Sequence, residues 1–311
     1  MHVETTRLGR IRTFEVTPEL FRKAAFAALA AIFVVVTTGA VVRLTASGLG
    51  CDNWPRCGNT PFPEKSGHAF IEFGNRVVAL LTIGFTLLAW LASRRVPGLS
   101  QWAQRLALAI FVGNVAQIPL GGLTVIFDLN PVLVMSHFLL ALAVLAGAVV
   151  LALEAHRLKV GGSAPMVPRE LRLLALALAA SCLVLVVTGT FATAAGPHSG
   201  GSDIRRLGSP LRSVYVHAGA TAVFGCAFVF LLGYLAARHS RSPRLFAAGL
   251  TLLGVLLAQA AVGETQYHTG LPWWLVLVHV SLAAGVWSGT VALTTLSLRP
   301  PASFAARAAL D

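Results

Sequence analysis

Long apolar stretches separated by short polar ones dominate the chain. They fall at 22–43, 70–93, 103–126, 131–155, 170–192, 212–237, 243–266 and 272–298. An α-helix rises 1.5 Å per residue, so about 20 apolar residues cross the roughly 30 Å hydrocarbon layer of a bilayer. Each stretch meets that length. The pattern therefore predicts an all-α integral membrane protein with eight transmembrane helices.

Composition supports this and removes other classes. Of 311 residues, 56% are hydrophobic and 12% charged, with a mean hydropathy of +0.76. Soluble domains are about a quarter charged, so a disordered chain and a cytosolic enzyme are both excluded. A net charge of +12 would suggest nucleic acid in a soluble protein. Here the basic residues sort by loop, and the partner they imply is the lipid bilayer, not nucleic acid. With eight spans, 17 of the 24 basic residues fall on one side: the two tails and the second, fourth and sixth loops. The other side holds Arg43, Arg56, Lys65, Arg76, Arg205, Arg206 and Arg212. The positive-inside rule places both termini in the cytoplasm of a bacterial cell. The first 21 residues are polar and lack the short apolar core of a signal peptide, so the first helix is expected to stay as an anchor.

The chain also repeats itself. Gln117 and Gln259, His137 and His279, and Asn75 and His217 are each 142 residues apart. The ends of helices one and five, VVTTGAVVRLTASG and VVTGTFATAAG, are alike at a different offset. Four helices per repeat is an even number, so both halves enter from the same side. The expected architecture is two four-helix bundles related by a parallel internal repeat. Its boundaries are a tail at 1–21, an N-terminal half at 22–155, a cytoplasmic linker at 156–169, a C-terminal half at 170–298 and a tail at 299–311.

The repeat brings out candidate chemistry. Asn75, His137, His217 and His279 each lie six or seven residues into a helix that runs inward from the outer face. That puts them at one depth, roughly 9–10 Å below the helix start. A lone histidine in a helix is usually a satisfied polar residue. Three at one depth on parallel helices, within a duplication, point to ligation instead. Paired imidazoles with little thiolate or carboxylate nearby suit a haem iron better than zinc, which wants a third or fourth protein ligand. Glu72 lies one turn from Asn75, and its duplicate position is Val214, so the halves are expected to differ in role. A plain Glu72–Arg76 ion pair is the rival reading. Arg43, Arg76 and Arg212 stand at outer helix ends, where they could receive haem propionates or simply snorkel to the interface. Cys51 and Cys57 flank five residues of an outer loop, compatible with a disulfide or with a redox-active thiol pair.

The segments TTGAVVRLTASGLGCDNWPRC, IEFGNR, HFLLAL, VHAGA, GPHSGG and HVSLAAGVW resemble the haem A synthase family, in order and across nearly all eight helices. The resemblance implies an enzyme that oxidises the C8 methyl of haem O to the formyl of haem A by successive hydroxylations, for cytochrome oxidase. It implies a haem b held by His217 and His279 in the C-terminal half. It also implies a substrate haem O, or product haem A, at His137 and the Asn75 position. Glu72 maps to the catalytic glutamate, and Cys51 and Cys57 to an outer disulfide. The implied partners are haem O, a haem O synthase to supply it and an external electron donor; a homo-oligomer is compatible with the sequence. One departure stands out: Asn75 occupies a position where the family commonly has histidine. The rival function class is a non-catalytic membrane haem b cytochrome for electron transfer or haem delivery. A carboxylate in only one half, and ligation lost from that same half, favour the enzyme. A transporter built on parallel repeats is disfavoured because the ionisable residues cluster near helix ends.

Overall fold

The computed structural model describes residues 15–51, 54–58, 62–63, 66–162, 166–201, 204–238 and 242–302. Most of both predicted tails, 1–14 and 303–311, lies outside the described residues, as does part of the linker, 163–165. The described residues form eight helices and no strand: α1 (Pro18–Leu44), α2 (Gly67–Ser93), α3 (Gln101–Ile126), α4 (Pro131–Val160), α5 (Arg169–Ala195), α6 (Pro210–Ala237), α7 (Pro243–His268) and α8 (Trp273–Leu298). All eight are long and apolar enough to cross a membrane.

Several helices extend past the apolar run that announced them, because local capping chemistry sets their ends. The Thr17 side chain accepts from Leu20 N, Ser66 from Ala69 N, Ser100 from Ala103 N and Asn130 from Val132 N. Each satisfies an amide that the first helical turn leaves without a partner. Pro18 and Pro131 follow two of these caps, where the missing N–H costs nothing. At its other end α4 continues to Val160, five residues beyond the predicted end, carrying Arg157 and Lys159 into its last turn.

Packing fixes the arrangement. α1 touches α2 and α4, and α3 touches the same two helices, so α1 to α4 close a cycle. α5 touches α6 and α8, and α7 touches the same two, closing a second cycle. Contacts of α4 with α8, α1 with α8 and α4 with α5 join the cycles. The seam is dry and closely packed, with Leu145, Ala148, Ala155, Leu178 and Leu293 almost fully buried. In lipid such contacts act mainly through van der Waals packing, because the surrounding chains are equally apolar. Specific hydrogen bonds cross the seam. Trp287 Nε1 donates to Leu142 O at 2.8 Å, and Arg43 Nη2 donates to Thr193 O at 2.6 Å. The Arg299–Glu154 ion pair, at 3.1 Å, ties α8 to α4 at the opposite end. Exposed side chains such as Leu80, Leu88, Val229 and Phe230 form the apolar outside that a bilayer would cover.

The turn from α3 to α4 matches the turn from α7 to α8. Leu129 and Leu271 both adopt positive φ, 54° and 59°. Leu129 N donates to Thr124 O at 2.7 Å, and Leu271 N to Gln266 O at 2.8 Å. These turns sit at the same end of the bundle as the loop between α1 and α2, called the disulfide end below.

Candidate functional site

Near the disulfide end, His137, His217 and His279 each pack the ring on a glycine of the preceding helix. A Cβ on Gly189 of α5 would lie 3.0 Å from His217 Cε1. One on Gly263 of α7 would lie 3.0 Å from His279 Cε1, and one on Gly121 of α3 would lie 3.2 Å from His137 Cε1. Those distances are tighter than an ordinary methyl contact. Only glycine lets the backbone approach the imidazole edge so closely. Gly121 and Gly263 are themselves 142 residues apart, a signal present in the sequence that the histidine pattern alone does not use.

Polar neighbours hold the rings. Thr188 Oγ1 is 3.3 Å from His217 Nδ1, and Gln259 Nε2 is 3.2 Å from His279 Nε2. Gln117 Nε2 donates to the carbonyl of His137 at 3.3 Å. Thr38 stands at the α1 position corresponding to Thr188, and its Oγ1 donates to Asn75 Oδ1 at 2.7 Å. The shorter amide leaves room, since a Cβ on Gly39, the counterpart of Gly189, would meet nothing within 4 Å.

His137 Nδ1 and His279 Nδ1 are buried without a hydrogen-bond partner, as are Gln117 Oε1 and Gln259 Oε1. Buried polar atoms are costly unless paired. The two orphaned Nδ1 atoms face Gly121 and Gly263, while paired imidazoles with no third ligating side chain among the described residues match a group that brings its own equatorial ligands. Among the described residues, no cluster of three or more His, Cys, Asp or Glu could hold a free metal ion. The donor set therefore fits a haem and does not fit zinc.

The loop between α1 and α2 closes over the N-terminal half. Cys51 and Cys57 form a disulfide, with S–S 2.01 Å. Glu72, at the start of α2, is buried at 5% exposure. Its Oε2 accepts from Cys51 N at 2.9 Å, and its Oε1 accepts from Arg76 Nη2 at 2.5 Å. Arg76 Nη1 also donates to Pro55 O and Arg56 O at 3.1 and 3.0 Å. The Glu72–Arg76 ion pair is thus present, and it is enclosed under the loop instead of lying on the surface. Trp54, which the sequence analysis did not single out, places its indole against Gly122, next to the glycine that touches His137. Arg76 is fully engaged by the loop, whereas Arg212 stands exposed in the first turn of α6. Arg212 stands five residues before His217 on the same helix.

A multi-pass membrane protein with half-buried imidazoles at matched helical positions and a disulfide-closed loop over one set is the class that fold and site define. The chain belongs to the cytochrome oxidase assembly protein family, whose sequence profile matches residues 22–69 and 58–198. It is similar to the haem A synthase of Symbiobacterium thermophilum, 28% identical over 295 residues, which span 89% of this chain and 95% of that protein. The haem A synthase of Geobacillus thermodenitrificans is 26% identical over 296 residues, 90% of this chain and 93% of the relative. That of Bacillus pumilus is 30% identical over a shorter stretch of 127 residues, covering 39% of this chain and 40% of the relative.

Proposed function

We propose that this membrane protein is a haem-dependent oxidoreductase that converts haem O to haem A for cytochrome oxidase. The observation that carries the reading is the set of glycine-backed, partly orphaned histidines at matched positions, in a chain similar to haem A synthases over nine-tenths of its length. The two halves are read as a parallel repeat. Contacts recurring at the same offset support this: Gln117 and His137 beside Gln259 and His279, and Gly121 beside Gly263.

In this reading His217 and His279 hold haem b in the C-terminal half. Thr188 and Gln259 orient the two rings, and Gly189 and Gly263 let them stand close to the helix backbones. His137 holds the substrate haem O in the N-terminal half, leaving as haem A. A bound haem iron supplies oxygen activation at that site and electron transfer at the other. Asn75 is a weak donor toward iron, so it leaves the far face of the N-terminal pocket open, with the space above Gly39 beside it. Glu72 handles protons near the pocket mouth. Both of its oxygens already accept one hydrogen bond, yet each keeps a second lone pair for a proton. General acid–base groups of this kind are worth roughly 10²–10⁴ in rate. Arg76 holds that carboxylate and ties it to the loop, while Trp54 and the disulfide seal the pocket against water. The histidines and the loop face outward, with both termini cytoplasmic, as the loop charges imply. A haem O synthase would deliver the substrate, and an external donor would supply electrons.

The test is the pigment of protein purified from its native membrane. Haem b together with haem O, its hydroxylated form or haem A is the expected result. Haem b alone would leave a non-catalytic cytochrome as the function.

A further inference from the structure

Arg43 is half-buried and, among the described residues, has no acidic partner. It stands in the last turn of α1, and its Nη2 donates to Thr193 O at the end of α5. Its Nε is shut off from solvent and has no partner. No acidic side chain pairs with it among the described residues. Arg22, Arg76, Arg157 and Arg299 each face a glutamate. A guanidinium withdrawn from water needs paired charge, and the carbonyl end of a helix offers only partial compensation.

The surroundings set Arg43 beside the N-terminal half. Arg43 follows Gly39 by four residues and Thr38 by five, so it stands one turn above the α1 face that meets Asn75. A side chain on Gly39 would meet nothing within 4 Å, whereas the matching space at Gly189 is filled by the ring of His217. Arg43 therefore stands on the α1 face that carries the unfilled space beside Gly39, at the edge of the N-terminal half.

We propose that Arg43 is the carboxylate anchor of the N-terminal pocket and receives a propionate of the haem bound there. This rests on the haem O reading given above. It moves the role from Arg76, which the loop occupies, and from the exposed Arg212, to a residue at the junction of the two halves. A planar guanidinium suits a carboxylate because it can offer two parallel N–H donors. Seated on α5, the same group would also join the occupied N-terminal pocket to the C-terminal half.

The experiment titrates haem b-loaded protein with haem O and with haem O dimethyl ester, whose propionates carry no charge. Binding is read from the Soret band, without turnover. Wild type should bind the free acid at least about tenfold more tightly than the ester, the range of one charge-assisted hydrogen bond. Arg43→Gln keeps an N–H donor for Thr193 O but no charge. It should weaken acid binding until the preference falls below about threefold, with ester binding and haem b content unchanged. Arg43→Lys should retain most of the preference. A wild type without preference, or an Arg43→Gln protein that keeps it in full, would overturn the assignment alone. A wild type that binds neither form would overturn the haem O reading along with it.

Discussion

Gly122 tests whether the loop is seated as described. A methyl at Gly122 would stand 2.7, 2.8 and 3.0 Å from Cε2, Cδ2 and Cζ2 of Trp54, well inside contact distance. In Gly122→Ala the indole must therefore retreat by most of an ångström. The loop carrying it is held on both sides, by the Cys51–Cys57 disulfide and by the bonds from Glu72 and Arg76. Two effects compete. Alanine favours the helix over glycine by about 0.8–1 kcal/mol. Overpacking a tethered site costs about 1–3 kcal/mol. The net expectation is a loss of up to about 2 kcal/mol, concentrated in the loop. It is read as faster reduction of the disulfide by a soluble thiol, followed by alkylation and mass measurement, with thermal unfolding in detergent alongside. Gly84→Ala serves as control, since a methyl there meets nothing within 4 Å and only the helix-forming gain remains. If Gly122→Ala is reduced at the wild-type rate and melts no lower than wild type, Trp54 does not seal the pocket against α3.

Three further outcomes follow from the same geometry. Glu72→Ala removes the acceptor of the buried Cys51 amide, at about 1–3 kcal/mol, and leaves Arg76 with only its two loop carbonyls; it should bind haem O and form at least about a hundredfold less haem A per hour by pigment chromatography, and wild-type output would reduce the residue to a loop anchor. His217→Ala and His279→Ala should each abolish the low-spin haem b signal in electron paramagnetic resonance while His137→Ala keeps it, and loss of that signal in His137→Ala would mean the histidines are paired differently. Asn75→His should fit beside Gly39, where His217 fits beside Gly189, and should turn the N-terminal haem into a second six-coordinate low-spin centre; an unchanged spectrum would show that the Asn75 position does not face the iron.

Much of the fold was legible from hydropathy, because a bilayer imposes length and apolarity on each span separately. All eight helices were therefore readable one at a time. Their ends were less so: the extension of α4 to Val160 reflects continued backbone hydrogen bonding beyond the apolar run. The candidate histidines stood out through the 142-residue spacing that His137 and His279 share with Gln117 and Gln259. The Cys51–Cys57 spacing left a thiol pair open, and the structure resolves it as a disulfide. Other features required three dimensions. The role of an arginine depends on which carbonyls and carboxylates reach it. Arg76, Arg43 and Arg212 look alike along the chain, yet one is clamped by the loop, one is half-buried against the end of α5 and one is exposed. Likewise nothing local to Trp54 names Gly122 as its seat, or to Thr38 names Asn75 as its acceptor, since those contacts join segments 37 or more residues apart. Periodicity and composition record what each helix must present to lipid; the partners that helices present to one another are settled only when all eight pack together.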